Sequence, residues 1–387
     1  METVEYAIIG GGVAGLSAAI GLSALGKEVR VFEQAPLLKG AGAGFGLAAN
    51  AMQAFAYLGL REEVEQIGFY TDSYTILDQR GRTLIAPDTQ KISSRYQQLN
   101  FSVHRADLHQ LLLGRVADIV VLGKRLKQFE ETGTAIELAF EDGERARCRY
   151  LIVADGVHSA ARQQLLPNAS PRYAGYTCWR ATISNQSIGL LKGSETWGRN
   201  GRFGMTPLVG DRIYWYACIN ATPANPVYRG YTVSDLVSRF GDYHAPIPEL
   251  LAATGDEDLL WNDIIDIKPL GHFAYGRILL IGDAAHATTP NMGQGACQAL
   301  EDVVVLCDEV SRRTNVEEAF LRFEKRRLAR TRYITETSWW IGKSAQLAHP
   351  WLIGFRNTLL RHMPAAWAQA SLRKLLDVDF MSASDRK

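Results

Sequence analysis

The sequence predicts an α/β fold in which a parallel sheet is interleaved with an antiparallel sheet, and C-terminal helices follow. Residues 4–33 contain an apolar strand, a glycine-rich turn, an alanine-rich helix and a second strand, which is the pattern of a βαβ unit. Two further apolar strands, Arg149–Val153 and Ile278–Ile281, each run into an aspartate beside a glycine. Residues 172–220 are short strands punctuated by turns, which is typical of an antiparallel sheet. Because the strand–aspartate segments are far apart in the chain, the two sheets must be interleaved.

Composition limits the class of protein and its partners. A chain of 387 residues with 47% hydrophobic and 21% charged residues can bury a large core. The formal net charge of +1, without a basic run or a helix-turn-helix pattern, predicts no nucleic-acid partner.

Cysteine and histidine spacing argues against a metal site. The five cysteines form no C-x-x-C pair and are odd in number, which favours a reducing compartment over a disulfide framework. The eight histidines show no H-E-x-x-H spacing. The first residues, Met-Glu-Thr-Val-Glu, lack the basic start of a secretory signal, and no run of about 18 apolar residues could span a membrane. We therefore predict a cytoplasmic protein without a bound metal.

A glycine motif follows the first predicted strand. Gly10–Gly15 has the pattern G-x-G-x-x-G and lies between the strand Val4–Ile9 and a helix that is predicted to end near Leu25. The next strand, Glu28–Phe32, is followed by Glu33. This arrangement is that of a Rossmann-like domain and predicts binding of an adenine dinucleotide. The motif does not distinguish NAD from FAD, and a plain tight turn between strand and helix is the alternative.

The residues of this motif have separate predicted roles. Gly10 makes the tight turn, Gly12 lets the backbone approach a pyrophosphate, and Gly15 lets the helix pack against the strand. Ala14 lies in the same motif at the start of the helix. Glu33 can accept hydrogen bonds from both hydroxyls of a ribose, which disfavours an adenosine with a 2′-phosphate. All five residues are candidates for cofactor binding.

Two further segments of the predicted parallel-sheet domain could face a ligand. The Gly/Ala-rich loop Gly40–Asn50, which includes Gly46, either flexes or lets a flat ligand come close. Arg105 lies where a strand enters a helix, and it could reach a phosphate or the edge of a flavin. A structural ion pair is an equally good interpretation of this arginine.

Carboxylates follow the two later strands of the predicted parallel sheet. Asp155 lies beside Gly156 after the strand Arg149–Val153, and Asp283 follows Ile278–Ile281. Open α/β sheets bind ligands at the carboxyl ends of their strands, where a carboxylate can accept hydrogen bonds from a sugar hydroxyl. We therefore expect Asp155 and Asp283 at a cofactor site.

A stiff turn and the start of a helix follow Asp283. Pro290 stiffens the turn, and Gly293 and Gly295 allow the backbone to approach a ligand closely. A helix is predicted to begin near Ala296, and the N-terminus of a helix carries free N–H groups and partial positive charge. Such an end favours an anion, and a reduced flavin ring is an anion. A strand, a turn and a core helix without a ligand form the alternative.

Aromatic residues are concentrated in the predicted antiparallel sheet. We expect each ring to belong to the core, and the rings together to offer a flat apolar substrate a surface on the far side of a cofactor. These residues are Tyr173, Tyr176, Trp179, Trp197, Phe203, Tyr214, Trp215 and Tyr216. The helix predicted over Val316–Leu347 has an Arg/Lys-rich face, and tryptophans follow it. We expect a packed tail, with a membrane or dimer contact as the less favoured alternative.

The three motifs stand in an order that resembles the single-component (group A) flavoprotein aromatic hydroxylases, the para-hydroxybenzoate hydroxylase superfamily. The motifs are Gly10–Gly15 with Glu33, Ala154–Arg162, and Gly282-Asp283 with Pro290–Ala296. The resemblance covers residues 4 to about 330, and it implies that FAD is the cofactor.

The resemblance also implies a place for each motif along FAD. The first motif would hold the ADP half, and Arg105 would lie along the cofactor. Asp155 would touch FAD and the path of NAD(P)H, Asp283 would bind the flavin ribitol, and the backbone of Gly293–Ala296 would face the flavin ring. The implied domains are a discontinuous FAD-binding domain of residues 1–70, 101–170 and 268–312, a substrate domain of residues 71–100 and 171–267, and a C-terminal helical segment of residues 313–387.

Within the superfamily the chain is most similar to the branch of bacterial FAD-dependent urate hydroxylases, salicylate hydroxylase-like enzymes and plant zeaxanthin epoxidase. Arg172–Tyr176 and Pro290–Gly295 carry this likeness. In urate hydroxylases an arginine and a tyrosine contact the substrate, and Arg202 and Tyr214 are the matching positions. The third partner there is an aspartate, whereas this chain has Asn291, which argues against urate.

The resemblance implies an FAD-dependent monooxygenase that takes hydride from NADH or NADPH. It would react with O2 to form a flavin C4a-hydroperoxide and hydroxylate a small aromatic or N-heteroaromatic substrate. Arg202, Tyr214 and Asn291 are the candidate catalytic residues. An epoxidase of an apolar alkene, which Trp215-Tyr216-Ala217 resembles, and a non-oxygenating FAD-dependent reductase or oxidase are the alternatives. The sequence does not show whether NADH or NADPH is the reductant, or whether the protein is a monomer or a homodimer.

Overall fold

The structure of the chain is a computed structural model, and it describes residues 3–37, 44–71, 74–86, 100–364, 370, 373–376 and 378. The helices are α1 (Val13–Ala24), α2 (Ala49–Tyr57), α3 (Arg61–Gln66), α4 (Arg105–Gly114), α5 (Ala160–Leu165), α6 (Pro226–Arg229), α7 (Val233–Phe240), α8 (Ile247–Ala252), α9 (Asp283–His286), α10 (Gly295–Ser311), α11 (Val316–Ala345) and α12 (Pro350–Arg361).

The strands form three sheets. They are β1 (Thr3–Ile9), β2 (Val29–Phe32), β3 (Gly44–Ala48), β4 (Gly68–Thr71), β5 (Tyr74–Asp78), β6 (Thr83–Ile85), β7 (Asn100–His104), β8 (Val120–Val121), β9 (Leu126–Thr132), β10 (Ala135–Phe140), β11 (Arg145–Val153), β12 (Pro171–Ser184), β13 (Gly193–Trp197), β14 (Arg202–Leu208), β15 (Arg212–Asn220), β16 (Leu260–Ile267), β17 (Ala274–Tyr275) and β18 (Ile278–Leu280). The α/β class with a parallel and an antiparallel sheet is confirmed.

The first sheet brings together the strand ends that were predicted to carry the cofactor site. Its order is β17-β18-β11-β1-β2-β8, and the hairpin β9–β10 joins it at β11. Strands β18, β11, β1 and β2 are parallel neighbours. Val153 of β11 pairs with Ile9 on one side and with Leu280 on the other. The carboxyl ends of three strands from distant parts of the chain therefore meet at one edge.

The second sheet is antiparallel except for one parallel pair, β13 with β5, and its order is β16-β12-β15-β14-β13-β5-β6. A small third sheet, β3-β7-β4, packs on one of its faces. Ser102 of β7 is hydrogen-bonded to Thr206 of β14 at 3.0 Å. Gly44 of β3 lies so close to Tyr214 of β15 that a Cβ on the glycine would be 2.7 Å from the tyrosine Cβ. The predicted domain boundaries stay a prediction, and residues 72–73 and 87–99 lie outside the described residues.

The two faces of the second sheet differ in chemistry, which corrects the prediction of one aromatic surface. Trp179, Phe203 and Trp215 pack into the core that α7 and α8 complete, so these rings cannot reach a cofactor. Arg180 and Tyr216 are paired across β12 and β15, so they lie together on the opposite face, toward the small sheet. A strand alternates its side chains between faces, and the faces depend on pairings that composition does not show.

Part of the basic face of α11 is paired within the protein, as expected for a packed tail. Arg326 pairs with Asp308 of α10, and Arg327 is buried against Glu301 and Asp302. These arginines hold α11 on α10 and are therefore not available to a membrane or to a second subunit. Among the helices that the structure describes, none combines the length and the apolar character needed to cross a membrane.

Candidate cofactor and substrate site

In the glycine turn after β1, two of the glycines lie too close to the backbone to accept a side chain, and the third faces open space. Gly10 has a φ of +104°, and a Cβ there would lie 2.4 Å from the carbonyl oxygen of Ala154. A Cβ on Gly15 would lie 1.9 Å from the carbonyl oxygen of Gly10. A Cβ on Gly12, which precedes the first turn of α1, would meet no atom within 4 Å. The space in front of this helix N-terminus suits a phosphate group.

Glu33 supports the same turn from the end of β2. Its carboxylate accepts hydrogen bonds from the backbone N–H groups of Gly11 at 2.6 Å and Ala35 at 2.8 Å. On the other side of the turn, the Nε2–H of His109 donates to the carbonyl oxygen of Gly11 at 2.6 Å. The role of Glu33 toward a ribose stays a prediction. The contact of His109 was not predicted, because it depends on how α4 packs.

The third motif lies directly against the first. Gly282 has a φ of +57°, and a Cβ there would lie 2.9 Å from the Cβ of Ala14. Asp283 follows at the exposed edge of the sheet, and its carboxylate has no hydrogen bond within the described part of the chain. The protein atoms around it limit its contact with bulk water, which raises the pKa of the carboxyl, while His286 and Arg105 oppose this shift. The carboxylate is thus available to a ligand.

Asp155 caps a helix and keeps one oxygen without a partner. Its Oδ2 accepts from the backbone N–H groups of Ala160 at 3.0 Å and Ala161 at 3.5 Å. Its Oδ1 is buried and has no partner among the described residues. Burial raises the pKa of this carboxyl, and the hydrogen bond from Ser159 opposes the shift. A buried carboxylate oxygen without a partner suits a ligand that brings a donor.

Arg162 fastens the second motif to the third. It is fully buried and donates to the carbonyl oxygens of Ala284 at 3.1 Å and Ala169 at 3.0 Å, as well as to that of Val157. The hydroxyl of Ser159 accepts from the Arg162 backbone N–H at 2.9 Å, which begins α5. The arginine therefore supports the site from within the protein.

Arg105 stands free at the first position of α4. It is exposed and forms neither an ion pair nor a hydrogen bond within the described ranges, so the alternative of a structural ion pair gains no support. Its charge lowers the pKa of Asp283, which places the two side chains near each other. A cation and a carboxylate without direct partners thus flank the same edge of the sheet.

The turn before α10 is open on its outer side. Gly293 has a φ of +62°, and a Cβ on Gly293 or Gly295 would meet no atom within 4 Å. Pro290 begins this turn, and Ala296 lies in the first turn of α10. The Sγ of Cys297 accepts from the backbone N–H of Ala48 at 3.4 Å. This contact holds β3, which contains Gly46, beside the helix start; Gly40–Ala43 lie outside the described residues.

Asn291 uses its whole side-chain amide within the protein. It accepts from the hydroxyl of Tyr176 at 2.9 Å and donates to the Oγ1 of Thr289 and the carbonyl oxygen of Ser338, both at 2.8 Å. The residue thus joins β12, the turn before α10 and α11. A side-chain amide does not ionise near pH 7 and so does not act as an acid or a base. The geometry therefore suits a structural link.

Arg202 is buried in the face of the second sheet that lies toward the small sheet. It is 2% exposed and donates to Glu195 at 3.0 Å, and its guanidinium lies 5.1 Å from the centre of the Tyr176 ring. Tyr176 thereby connects Arg202 to Asn291. Sequence reasoning missed Glu195, because only the pairing of β13 with β14 brings it beside the arginine.

Tyr214 lies beside Arg180, which was not predicted, and its ring centre is 6.1 Å from that of Tyr216. Burial raises the pKa of the Tyr214 hydroxyl, and the guanidinium of Arg180 opposes this shift both as a charge and as a hydrogen-bond donor. Burial likewise raises the pKa of Tyr74, Tyr176 and Tyr216. These phenols are therefore neutral hydrogen-bond donors near pH 7.

A buried ionic network holds the third motif from behind. Asp302 accepts from the backbone N–H of Gly282 at 2.8 Å, contacts His286 at 2.6 Å and pairs with Arg327 at 2.7 Å. Glu301 pairs with the same arginine and with Arg330. Burial raises the pKa of both carboxyls, but Arg327 and Arg330 lower that of Glu301, and His286 and Arg327 lower that of Asp302, so that both are lowered overall. The described residues include no group of three or more side chains suited to a metal ion.

An open parallel sheet whose strand ends carry a glycine turn, two carboxylates and a helix N-terminus defines a dinucleotide-binding protein. Residues 3–176 and 261–338 match the model of a family described as the FAD binding domain. The chain belongs to this family. FAD suits the site for two reasons. Its pyrophosphate could occupy the open space at Gly12, and its hydroxyl groups could donate to the Oδ1 of Asp155 and to the carboxylate of Asp283, which have no partners among the described residues.

Curated relatives and a solved structure resemble nearly the whole chain. The aurachin C monooxygenase/isomerase of Stigmatella aurantiaca is 35% identical over 95% of this chain and 97% of its own. The 3-amino-4-hydroxybenzoate 2-monooxygenase of Streptomyces cremeus is 33% identical over 85% of this chain and 84% of its own. The crystal structure of Klebsiella pneumoniae HpxO with FAD and uric acid has a TM-score of 0.87 at 28% identity and covers 96% of both chains. The chain is an FAD-dependent monooxygenase of the aromatic hydroxylase superfamily.

Replacement of Asp283 should separate stability from cofactor binding. The pKa of this carboxyl is raised in the folded state, so its ionised form costs stability above the unfolded pKa of about 4. We expect Asp283→Asn to raise the melting temperature of the FAD-free protein at pH 7, and the difference to vanish below about pH 4. FAD affinity should fall about 10- to 100-fold, because a charged acceptor is lost.

Thermal melting and fluorescence titration with FAD measure both effects. The matched control is Asp118→Asn, which changes an exposed carboxylate before the amino end of β8. Unchanged FAD affinity of the Asp283→Asn protein would rule out contact between this carboxylate and the cofactor.

Proposed function

We propose that the protein uses NADH or NADPH and O2 to oxygenate a small aromatic or N-heteroaromatic substrate. The observation that carries the proposal is the polar face of the second sheet, which lies against the small sheet and is linked through Tyr176 and Asn291 to the turn before α10. This link supports the proposal that aromatic and hydrogen-bonding side chains of the second sheet lie beside the cofactor site. The names of the relatives support the substrate class, because they include a hydroxybenzoate and uric acid.

The proposed residues divide into those for the ADP half and those for the flavin half. The turn Gly10–Gly15 would bind the pyrophosphate, and Glu33 the ribose. Arg105 and Asp283 would hold the middle of the cofactor, with Asp155 beside them. The backbone of Gly293–Ala296 would face the flavin, where the α10 N-terminus favours negative charge.

Bound FAD would supply hydride acceptance and, through a C4a-hydroperoxide, an electrophilic oxygen. The protein would position the substrate and keep water away from the reacting atoms. Arg202 and Tyr214 are proposed to orient the substrate. Because Arg202 is buried, it would act from within the protein rather than from an exposed position on the sheet. Asn291 is proposed to hold the turn before α10 in place. This is a structural role rather than the catalytic role for which the residue was a candidate.

Oxidation of NADH and NADPH by the FAD-loaded protein tests this function. A panel of phenols, aromatic acids, urate and other N-heterocycles should contain compounds that accelerate oxidation, with a hydroxylated product found by mass spectrometry. If nicotinamide oxidation yields only hydrogen peroxide with every compound, the protein is not a hydroxylase of these substrates. An apolar alkene that yields an epoxide would instead establish the epoxidase alternative.

A further inference from the structure

Arg180 and Arg202 lie on the same face of the second sheet, but only one of them is paired with an acid. Arg202 is held by Glu195 at 3.0 Å. Within the described part of the chain no acidic side chain pairs with Arg180, and its Nε is buried without a hydrogen-bond partner. Arg180 is half-buried and lies beside the hydroxyl of Tyr214. Of these two arginines, Arg180 is therefore the one whose charge no described acidic side chain balances.

The described elements that pack on this face do not supply a negative charge for Arg180. The small sheet consists of β3, β4 and β7, whose only ionisable side chains besides tyrosine belong to His104. Burial lowers the pKa of His104, so this histidine is neutral near pH 7. Asp107 is paired with Arg212, and Asp266 with Arg172. Among the described residues, the guanidinium of Arg180 therefore has no acidic partner, in a partly desolvated environment where a charge is costly without a counter-ion.

The phenols around Arg180 are suited to an anionic ligand. Tyr214 and Tyr216 lie on the same face as Arg180, because the pairs Thr182–Tyr214 and Arg180–Tyr216 are in register. The ring of Tyr216 lies over Gly204, where a Cβ would be 2.1 Å from a ring atom. The hydroxyls of Tyr216 and Tyr74 contact each other at 3.2 Å. Neutral hydroxyl donors and an unpaired guanidinium together bind an oxyanion well.

We propose that Arg180, with Tyr214 beside it, binds an oxyanion of the substrate, and that Arg202 is a supporting residue whose charge Glu195 neutralises. The proposal rests on the proposed function and narrows its substrate class. The substrate is an aromatic or N-heteroaromatic ring whose acidic hydroxyl or enol is bound in the ionised form. An oxyanion raises the electron density of the neighbouring ring carbon, which is the atom that an electrophilic oxygen attacks. Arg180 thereby both positions and activates the ring.

Binding of 4-nitrophenol to the oxidised, FAD-loaded protein tests the proposal, because the ionised and neutral forms differ in absorbance. The wild-type protein should bind the phenolate about tenfold more tightly than the phenol, which lowers the apparent pKa of the bound probe by about one pH unit. Arg180→Gln should abolish this shift, and Arg180→Lys should restore most of it. The affinity for 4-nitroanisole, which cannot ionise, should be the same in all three proteins.

Two further variants identify the arginine that acts. The double variant Glu195→Gln with Arg202→Met removes the balanced pair; it should weaken the binding of 4-nitrophenol and of 4-nitroanisole to the same extent and leave the shift in the apparent pKa of the bound 4-nitrophenol in place. Arg199→Gln removes an exposed arginine of the same domain and should change nothing. An unchanged shift in Arg180→Gln, a shift lost only in the double variant, or failure of the FAD-loaded protein to prefer or bind the phenolate would each overturn the proposal. Because this readout needs no turnover, its failure is distinguishable from a failure of the nicotinamide oxidation test.

Discussion

Arg327→Met is expected to destabilise the folded protein by about 3–5 kcal/mol, because it leaves two buried carboxylates without their shared cation. Arg327 donates to Asp302 at 2.7 Å and also pairs with Glu301, and all three side chains are buried. Asp302 in turn holds the backbone of Gly282 and the ring of His286. The substitution should therefore loosen the strand end that carries Asp283, and FAD affinity should fall as well.

The pH dependence identifies the carboxylates as the cause. The pKa values of Glu301 and Asp302 are lowered in the folded state, so their contribution to stability is present above the unfolded values of about 4. This contribution is lost as the pH falls through the lower folded values. Urea unfolding should show the largest difference between wild type and Arg327→Met near pH 7 and a smaller one in acid.

The matched control is Arg332→Met, which removes an exposed arginine from the same helix and should leave the unfolding midpoint unchanged. A loss below about 1 kcal/mol for Arg327→Met would show that the network does not hold α10 and α11 together.

Gly12→Ala is expected to weaken FAD binding by about two orders of magnitude, or ~2.7 kcal/mol, without destabilising the FAD-free protein. The new methyl group meets no protein atom within 4 Å, but it occupies the open space in front of α1. Gly15→Ala should behave differently, because its methyl group would lie 1.9 Å from the carbonyl oxygen of Gly10. That variant should unfold or fail to accumulate.

Isothermal titration with FAD and thermal melting of the FAD-free protein distinguish the two glycines. Gly114→Ala, near the end of α4, also has open space around it and should alter neither FAD affinity nor the fold, apart from a small gain in helix stability. Normal FAD affinity in Gly12→Ala would place the pyrophosphate elsewhere.

Local patterns made the cofactor site predictable. A strand, a turn with fixed glycine spacing and a helix are each encoded within a few residues, and the carboxyl ends of parallel strands meet at one edge. The three strands were predicted from these patterns, whereas their order, in which Val153 pairs with both Ile9 and Leu280, is shown by the structure. The helix predicted near Ala296 begins at Gly295, within the usual uncertainty of one residue.

Side chains that depend on strand register were not predictable in the same way. A shift of one residue in β12 would move Arg180 to the core face and Trp179 toward the small sheet. β12 pairs continuously with β15 but irregularly with β16 between Tyr173 and Thr177, and no local sequence pattern indicates either register. The partnership of Glu195 with Arg202 likewise needed the pairing of two strands. The acidic partners of the α11 arginines likewise depended on the packing of α11 against α10.

The measurement that tests the central claim most directly uses ¹⁸O-labelled dioxygen. The FAD-loaded protein is supplied with NADH or NADPH and with the panel compound that accelerates nicotinamide oxidation most. A monooxygenase should place one ¹⁸O atom in the product for each nicotinamide oxidised, with little hydrogen peroxide. A product without label, or peroxide equal to the nicotinamide consumed, would contradict the account.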